Sequence, residues 1–244
     1  MKRIKISTIN VQSGVGITKG YWQYLTSSWK YFLPHSQKYV MEIADFINLE
    51  NIDIITLTEI DGGSFRTKNI DYVKLLSDNT SLNEHVFYSA YQLKGVLNQG
   101  NAILTKYPII ESKKYRLPGK GEPRYLGVAL SKVNDRDVSI LVAHLSLSKQ
   151  IRAKQIHDIS EVVNNITTPL ILSGDFNVSD ESELAIFNDI GLKRITDYMA
   201  YPSWKPKSCK DFIFVTDHFI IKSYYIPKMK ISDHLSVVIE TAFN

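Results

Sequence analysis

The sequence predicts an α/β fold in which two β-sheets pack face to face and helices cover the outside. Strand-like and helix-like runs alternate along the 244 residues, with no internal repeat and no low-complexity segment. The predicted strands outnumber the predicted helices by about two to one. A single sheet built by strand–helix alternation would contain similar numbers of both, so the excess of strands indicates a second sheet.

Nine strands are predicted from short runs rich in Val, Ile and Tyr. They cover residues 4–11, 52–58, 86–93, 101–105, 126–132, 138–144, 169–173, 212–215 and 235–241. Four helices are predicted at 36–50, 70–79, 148–165 and 181–190. The third is the clearest, because a Ser148 cap precedes one apolar face made of Ile151, Ile156, Ile159, Val162 and Val163.

Length and composition predict one domain over residues 1–244. A hydrophobic content of 44% is enough for one large core, and no linker rich in Pro, Gly or Ser interrupts the chain. No stretch is both apolar and about 18 residues long, and the amino terminus turns polar at once, so we expect a cytoplasmic protein without a transmembrane segment. We also expect a monomer. The single cysteine, Cys209, excludes an internal disulfide and a cysteine-based zinc cluster.

The charge balance permits an anionic substrate without requiring one. Lys and Arg total 29 against 25 acidic residues, which gives a net charge of +4. Basic residues cluster in two places, first at Lys113, Lys114, Arg116, Lys120 and Arg124, then at Lys205, Lys207 and Lys210. The two clusters could form a positive rim, although a solvated lysine-rich face is the more ordinary interpretation.

Polar side chains recur where the predicted apolar strands end or begin. They are Asn10, Glu59, His144, the pair Asp175 and Asn177, Asp211, and the pair Asp233 and His234. A buried carboxylate at the end of an apolar strand costs several kcal/mol unless it is paired, metal-bound or solvated. The carboxyl ends of strands also line the ligand crevice of open α/β sheets. Each of these positions alone could be a turn, but the whole set indicates a ligand site.

The same residues suit phosphoryl transfer. Glu59 and Asp233 offer the hard oxygen ligands that Mg²⁺ or Mn²⁺ prefers. Asp175 could orient or deprotonate an attacking water, and a carboxylate at Asp211 would make His234 a strong base or a charged partner of the phosphorus. The remaining three residues, Asn10, Asn177 and His144, would donate hydrogen bonds to non-bridging oxygens.

Seven segments in order resemble the endonuclease/exonuclease/phosphatase superfamily, which includes deoxyribonuclease I, exonuclease III and neutral sphingomyelinases. They are TINV (8–11), IITLTEID (54–61), GNAILTKYPI (100–109), AHL (143–145), SGDFN (173–177), DFI (211–213) and SDH (232–234). Any one of these motifs is weak evidence for the family, whereas seven in this order are strong evidence. Together they cover nearly the whole chain. The resemblance implies a four-layer α/β sandwich, DNase I-like, with a divalent-metal site at one end and hydrolysis of phosphate esters.

The resemblance also implies a role for each motif residue. Glu59 is the principal metal ligand, Asp233 is a second ligand or a partner of a metal-bound water, and Asn10 supports the metal or the phosphate. Asp211 and His234 form the acid–base pair.

The remaining motif residues would face the water and the substrate. Asp175 positions the nucleophilic water, Asn177 donates in the transition state, and His144 contacts the phosphate. Exonuclease III-type repair enzymes carry an Asp two residues after the first-motif Asn and a Tyr near the histidine motif, where this chain has Gln12 and His144. This departure argues against an abasic-site repair enzyme.

Two further residues are candidates for contact with a substrate phosphate. Asn101 belongs to the third motif, and Arg66 follows Glu59 by a short loop. A loop arginine is more often part of a surface or structural ion pair, and this alternative stays open. Four histidines match no motif, and we expect surface, helix-start or packing roles for them: His35, His85, His157 and His218.

The segment 14–34 is too aromatic for an ordinary loop. It contains six aromatic residues, followed by Leu33: Tyr21, Trp22, Tyr24, Trp29, Tyr31 and Phe32. The segment could cap the cleft and stack on bases or touch lipid, or it could be a small helix buried against the sandwich edge. A second aromatic and basic loop, with Tyr198, Tyr201 and Trp204, could face the same cleft.

Three classes of function are consistent with these residues. The first, which we favour, is an Mg²⁺- or Mn²⁺-dependent phosphodiesterase or nuclease that acts on nucleic acid or nucleotides. The second is a phosphohydrolase for a phospholipid or inositol-phosphate head group, although the lack of a long apolar hairpin leans away from a secreted sphingomyelinase. The third, a non-catalytic module, is disfavoured because Glu59, Asp175 and His234 are all present.

Overall fold

Twelve strands and five α-helices make up the described part of the chain, which in this computed structural model is residues 2–34, 36–93 and 95–244. The strands are β1 (Ile4–Asn10), β2 (Ile54–Asp61), β3 (Glu84–Leu93), β4 (Leu97–Thr105), β5 (Ile109–Leu117), β6 (Arg124–Val133), β7 (Arg136–His144), β8 (Leu170–Asp175), β9 (Lys193–Arg194), β10 (Asp211–Val215), β11 (Phe219–Tyr225) and β12 (Val237–Phe243). The helices are α1 (Trp22–Ser27), α2 (Lys38–Glu50), α3 (Tyr72–Asp78), α4 (Lys149–Asn164) and α5 (Ala185–Asp189).

The strands form two six-stranded mixed sheets. The first sheet has the order β11-β12-β1-β2-β4-β3 and the second has the order β5-β6-β7-β8-β10-β9. One neighbouring pair in each sheet is parallel, β1 with β2 and β7 with β8, and the other pairs are antiparallel. Both parallel pairs lie in the middle of their sheets, so in each sheet the carboxyl ends of two central strands lie at the same edge.

Two apolar clusters hold four layers together, which confirms the predicted fold. The larger cluster lies between the sheets and continues under α4 and α5, where Ile156, Ile159 and Phe187 are buried. The smaller cluster packs α2 and α3 on the first sheet through residues such as Ile43 and Leu76. Helices therefore cover the outer faces, as the excess of strands predicted.

A chain of hydroxyl groups crosses between the sheets inside the larger cluster. Thr56 donates to Thr8 over 2.9 Å, and its oxygen also lies 2.9 Å from the Ser173 hydroxyl in the other sheet. Because each buried hydroxyl has a partner, the central strands keep their polar side chains without an unsatisfied group at these three positions. The hydroxyl chain fixes the two sheets relative to each other just below the site.

All nine predicted strands are present, and three more strands occur at 109–117, 193–194 and 219–225. The predicted helices at 36–50, 70–79 and 148–165 are confirmed within two residues at each end, whereas 181–190 divides into a 3-10 turn and α5. An additional helix, α1, lies inside the aromatic segment. His35 lies outside the described residues. No helix among residues 2–34, 36–93 and 95–244 is long and apolar enough to cross a membrane.

Candidate active site

The polar residues at the strand ends meet in one cleft. Its volume is about 340 Å³, and seven of the eight strand-end residues line it: Asn10, Glu59, His144, Asp175, Asn177, Asp233 and His234. Strand register explains the meeting, because β7 and β8 align His144 with Asp175 while antiparallel β10 aligns Asp211 with Asp175. Asp211 itself lies behind His234, fully buried.

Three residues that line the cleft adopt a left-handed backbone conformation that non-glycine residues rarely use. The φ angles are 49° at Gln12, 58° at Glu59 and 51° at Asn177. Glu59 lies at an irregularity of β2, between Leu57 and Ile60, where the register with β4 shifts. Strained backbone of this kind is kept where the surrounding structure fixes it and is frequent at functional sites.

Asp175 is the carboxylate on which the other groups converge. It accepts hydrogen bonds of 2.9 Å from the Asn10 amide and from the Asn177 backbone N–H. The Nε2 atoms of His144 and His234 lie 3.6 and 3.9 Å from its Oδ2 atom. Burial works to raise the pKa of Asp175, but the charge of His234 and the donated hydrogen bonds lower it overall. Asp175 is therefore an ionised acceptor inside the protein.

Asn10 presents its amide N–H groups, and not its oxygen, to the carboxylates. Its Oδ1 accepts the backbone N–H of Gln12 at 2.8 Å, which fixes the amide orientation. The Nδ2 atom then donates to Glu59 at 3.0 Å and to Asp175 at 2.9 Å. In this geometry Asn10 joins the two carboxylates as a donor, and direct ligation of a metal through its oxygen would require the amide to turn.

His234 is held as an imidazolium by the carboxylate behind it. Its Nδ1 atom makes a short hydrogen bond to Oδ2 of Asp211. Burial works to lower the pKa of His234, but the charge and hydrogen bond of Asp211 raise it to about 10. The pair thus places a positive N–H, at Nε2, on the side of the cleft that faces Asp175.

Glu59 and Asp233 are two carboxylates whose ionisation is unfavourable in this environment. Burial first, and then the charges of Asp233 and Asp175, raise the pKa of Glu59 to about 7. Burial also raises the pKa of Asp233. Tyr24 donates to Oδ2 of Asp233 at 2.5 Å, while Oδ1 has no hydrogen-bond partner among the described residues. Like charges gathered in this way favour a bound cation.

His144 is neutral, in contrast to His234. Burial and the nearby guanidinium of Arg124 lower the pKa of His144 to about 3. The Nη1 atom of Arg124 lies 2.6 Å from Nδ1 of His144, so the arginine donates and the Nε2 atom carries the histidine proton toward the cleft. A neutral N–H donor and a guanidinium therefore stand side by side at this wall.

Comparison with known proteins decides the family. A model of the Endonuclease/Exonuclease/phosphatase family matches residues 7–234. The chain belongs to this family. Its members are phosphoric ester hydrolases and generally depend on a divalent metal, so this family member is an enzyme of that class. No match was found among curated protein sequences.

Solved structures share the fold at low sequence identity. An endonuclease/exonuclease/phosphatase from Beutenbergia cavernae DSM 12333 superposes with a TM-score of 0.78 at 17% identity, covering 100% of this chain and 72% of that chain. A mannosyl-6-phosphatase from Bacteroides thetaiotaomicron VPI-5482 gives 0.72 at 18%, with coverages of 98% and 100%. The human Nocturnin catalytic domain with bound sulfate gives 0.72 at 20%, with coverages of 99% and 94%. These likenesses establish the shared fold.

Two sets of residues in this family member could hold a metal. On distance alone, the ligand atoms of Asp175, Asp211 and His234 lie within 4.8 Å of one another. However, the Nδ1 atom of His234 is occupied by its bond to Asp211, and a protonated imidazole offers no lone pair. Glu59 and Asp233 line the open cleft, and the free Oδ1 atom of Asp233 fits a cation better.

The structure does not bring the two remaining candidates into the cleft lining. Arg66 is buried, and its Nε donates to Asp61 at 2.6 Å, which favours the structural ion pair over contact with substrate. Asn101 is also buried, and its amide lies 3.5 Å from the Tyr125 carbonyl between the sheets. Both side chains are therefore engaged below or beside the site.

The two aromatic loops lie at the cleft, as one interpretation of the sequence proposed. Tyr24 and Tyr31 of segment 14–34 line it, together with Tyr201 and Lys210 of the second loop. The loops also touch each other, because the rings of Tyr21 and Trp204 pack edge to face at 5.1 Å. The alternative, a helix buried against the sandwich edge, is wrong for most of the segment, since Trp22, Leu25 and Phe32 remain exposed.

Two basic residues that line the cleft have no specific role in the sequence prediction. They are Arg124 and Lys210. Both belong to the basic clusters that could form a positive rim, and no local motif marks either of them. Strand β6 begins at Arg124, and its pairing of Leu126 with Ala143 brings the guanidinium beside His144. The place of Arg124 beside His144 could therefore be predicted only from the pairing of β6 with β7.

Proposed function

We propose that this family member is a phosphodiesterase or nuclease that acts on nucleic acid or nucleotides, by in-line attack of an activated water and with Mg²⁺ or Mn²⁺. The observation that carries the proposal is the arrangement around Asp175. An ionised carboxylate lies between an imidazolium, His234, and a neutral imidazole, His144. A proton acceptor flanked by donors is what attack on a phosphate requires.

Asp175 would orient the water and accept its proton as the oxygen attacks phosphorus. Its lowered pKa keeps it ionised at neutral pH. The Asn10 amide and the Asn177 N–H hold the carboxylate in place through 2.9 Å hydrogen bonds. Water forms the new P–O bond while the bond to the leaving oxygen breaks, so phosphorus passes through a five-coordinate arrangement.

Three donors would stabilise the charge that grows on the phosphoryl oxygens. The Nε2–H groups of His234 and His144 point from two walls of the cleft, and Arg124 adds a guanidinium beside His144. His234 is charged because Asp211 raises its pKa to about 10. Donors fixed before the reaction lower the barrier more than donors that must reorganise.

Glu59 and Asp233 would hold the divalent cation. When bound, the cation supplies Lewis-acid stabilisation of a phosphoryl oxygen and of the leaving group. The residues fit this role, since the pKa of Glu59 is raised to about 7 by burial and by neighbouring carboxylates, and a cation would relieve both effects. Tyr24 would fix Asp233 through its 2.5 Å hydrogen bond.

A second candidate function is hydrolysis of a phosphomonoester or head group. One of the structures that shares the fold is a mannosyl-6-phosphatase. The exposed aromatic and apolar side chains of segment 14–34, including Trp22, Leu25 and Phe32, would also suit a lipid head group at a surface. The same cleft residues would catalyse either reaction, so the two candidate functions differ only in the substrate that the protein hydrolyses.

The first test is hydrolysis of bis-p-nitrophenyl phosphate by purified protein. We expect turnover with Mg²⁺ or Mn²⁺ and none in EDTA, with activity restored when metal is added back. Full activity in EDTA would refute the assignment of Glu59 and Asp233. A panel of DNA, RNA, sphingomyelin, phosphoinositides and cyclic dinucleotides then separates the phosphodiesterase from the head-group hydrolase.

A further inference from the structure

A second cavity adjoins the cleft on the Glu59 side. Its volume is about 600 Å³, within the range of small-molecule sites. It shares two residues with the cleft, Glu59 and Tyr31, so a ligand can extend from one into the other. The reaction described above uses none of the other side chains of this cavity.

One part of the cavity wall is aromatic and apolar, and the rest includes the polar side chains of Ser28, Gln99 and Glu122. Tyr31 and Phe32 come from the aromatic segment, and Tyr91 and Leu97 come from the β3–β4 hairpin. Phe32 is 62% exposed and Tyr91 is 37% exposed, although rings of this size are usually covered. Two exposed rings at the rim of a cavity provide faces on which a flat ligand can stack.

Polar groups at the base of the cavity are oriented by Arg66. Its guanidinium is neutralised by the buried bond to Asp61, and it also donates to the Tyr31 carbonyl at 3.3 Å. A further N–H of Arg66 lies 3.5 Å from the side-chain oxygen of Gln99. Because the oxygen of Gln99 accepts from the arginine and Gln99 lines the cavity, its NH₂ group is the part of the amide that can donate to a ligand.

We propose that this cavity binds the nucleobase of a nucleotide substrate whose phosphate lies in the cleft. The proposal rests on the proposed function and specifies its substrate class. A base would stack on Phe32 and Tyr91, while Gln99 donates to a ring carbonyl or ring nitrogen, which every base carries. The sugar would then cross between cavity and cleft beside Tyr31.

The chemistry of the wall favours a heteroaromatic ring over the other ligands of this family. An alkyl chain would leave the Gln99 donor without a partner, and a buried unpaired donor costs free energy. A bare sugar could pair some hydroxyl groups with Ser28, Gln99 or Glu122, but it offers no flat face to stack on Phe32 and Tyr91. A flat ring with acceptors on its edge satisfies both the stacking faces and the amide.

The test compares esters that share one leaving group. Thymidine 5′-(p-nitrophenyl phosphate) carries the base, the 1,2-dideoxyribose ester lacks it, and octyl p-nitrophenyl phosphate replaces the nucleoside by an alkyl chain. For the wild type we expect kcat/KM to be highest on the thymidine ester. The base preference, which is the ratio of kcat/KM on the thymidine ester to that on the abasic ester, should fall about tenfold in Phe32→Ala and in Tyr91→Ala.

Two further variants make the assignment specific. Gln99→Leu removes the donor at similar size and should also lower the base preference. Trp22→Ala removes an exposed ring of the same segment that does not line the cavity, so it should keep the wild-type preference. Equal turnover of the thymidine and abasic esters by the wild type, or a base preference that survives Phe32→Ala and Tyr91→Ala, would overturn the proposal. So would a preference for the octyl ester that the same variants abolish.

A binding measurement separates this proposal from the proposed function. In EDTA, calorimetric titration with thymidine 5′-monophosphate and with deoxyribose 5-phosphate measures base recognition without turnover. Tighter binding of the nucleotide, lost in Phe32→Ala, would support the cavity assignment even if no diester were hydrolysed. Hydrolysis of all three esters without any base dependence would leave the proposed function intact and refute the cavity assignment.

Discussion

Glu59 occupies a position that its residue type disfavours in three ways. Its φ angle of 58° lies in the left-handed region, its carboxylate is mostly buried, and Asp175 and Asp233 lie close enough to raise its pKa to about 7. Its side chain nevertheless keeps 22% exposure, toward the cleft. This combination supports the proposed role of Glu59 as a ligand of the cation.

Loss of Glu59 or His234 should abolish most of the activity. We expect Glu59→Ala and His234→Ala each to lower kcat by about a hundredfold or more, because one removes a proposed metal ligand and the other a proposed charged acid–base group. The measurement is turnover of bis-p-nitrophenyl phosphate with Mg²⁺, with circular dichroism to show that the fold is intact. Glu161→Ala and His157→Ala, both exposed on α4, are the matched controls and should behave as the wild type.

At the scale of elements, the end of β8 depends on one glycine, which lies next to the last residue of the strand. Gly174 has a φ angle of 136°, and a Cβ atom there would lie 2.0 Å from the carbonyl oxygen of Ala143 on the neighbouring strand β7. That distance is far inside van der Waals contact, and the obstacle is backbone that is part of a parallel strand pair. Only glycine allows β8 to pass close to β7 and deliver Asp175 beside His144.

Gly174→Ala should therefore destabilise the protein and impair the site together. We expect a loss of about 2 kcal/mol or more in the free energy of unfolding, measured by urea denaturation, and a lower kcat in the folded fraction. Gly191→Ala is the matched control, since Gly191 also has a positive φ angle, 86°, but no atom of the described residues lies within 4 Å of its added Cβ. If both variants lost the same free energy, backbone strain and not the contact with Ala143 would be the cause.

Sequence patterns predicted the central strands of both sheets and one edge strand, β3, but missed the other three edge strands. The three additional strands, β5, β9 and β11, all lie at the ends of the two sheet orders. β5 reads IIESKKYRL and is exposed along most of its length, and β9 has two residues. Edge strands commonly carry charged residues, which protect against aggregation, and β5 and β9 therefore lack the apolar pattern on which the prediction depends. β11 reads FIIKSYY, so charge does not explain why the prediction missed it.

At the scale of the whole molecule, the site exists because two sheets place their central strand ends at one edge. Each motif could be recognised within a few residues of sequence, and the family resemblance ordered them correctly. The contacts between distant segments could not be predicted in this way. Tyr24 reaches Asp233 across 209 residues of sequence, and Arg124 reaches His144 only because β6 pairs with β7. Such contacts follow from the packed fold and have no local sequence pattern.

Ionisation of Glu59 should lower the stability of the whole protein when no cation is bound. A carboxylate whose folded pKa is raised binds more protons in the native state than in the unfolded state between the two pKa values. Stability therefore falls as pH rises from about 4.5 through about 7, the values for Glu59 in the unfolded and folded states. Glu59→Gln removes this titration, and the glutamine oxygen can still accept the Asn10 hydrogen bond.

We expect Glu59→Gln to melt at a higher temperature than the wild type at pH 8 in EDTA, by about 2 °C or more, and to gain less at pH 5, where Glu59 is protonated. Adding Mg²⁺ should raise the melting temperature of the wild type by mass action and leave that of the variant nearly unchanged. Differential scanning calorimetry measures the difference in melting temperature between the variant and the wild type at both pH values, with and without Mg²⁺. A variant that melts lower than the wild type at pH 8 in EDTA would show that Glu59 stabilises the fold, and its place in the cleft would then need no cation to explain it.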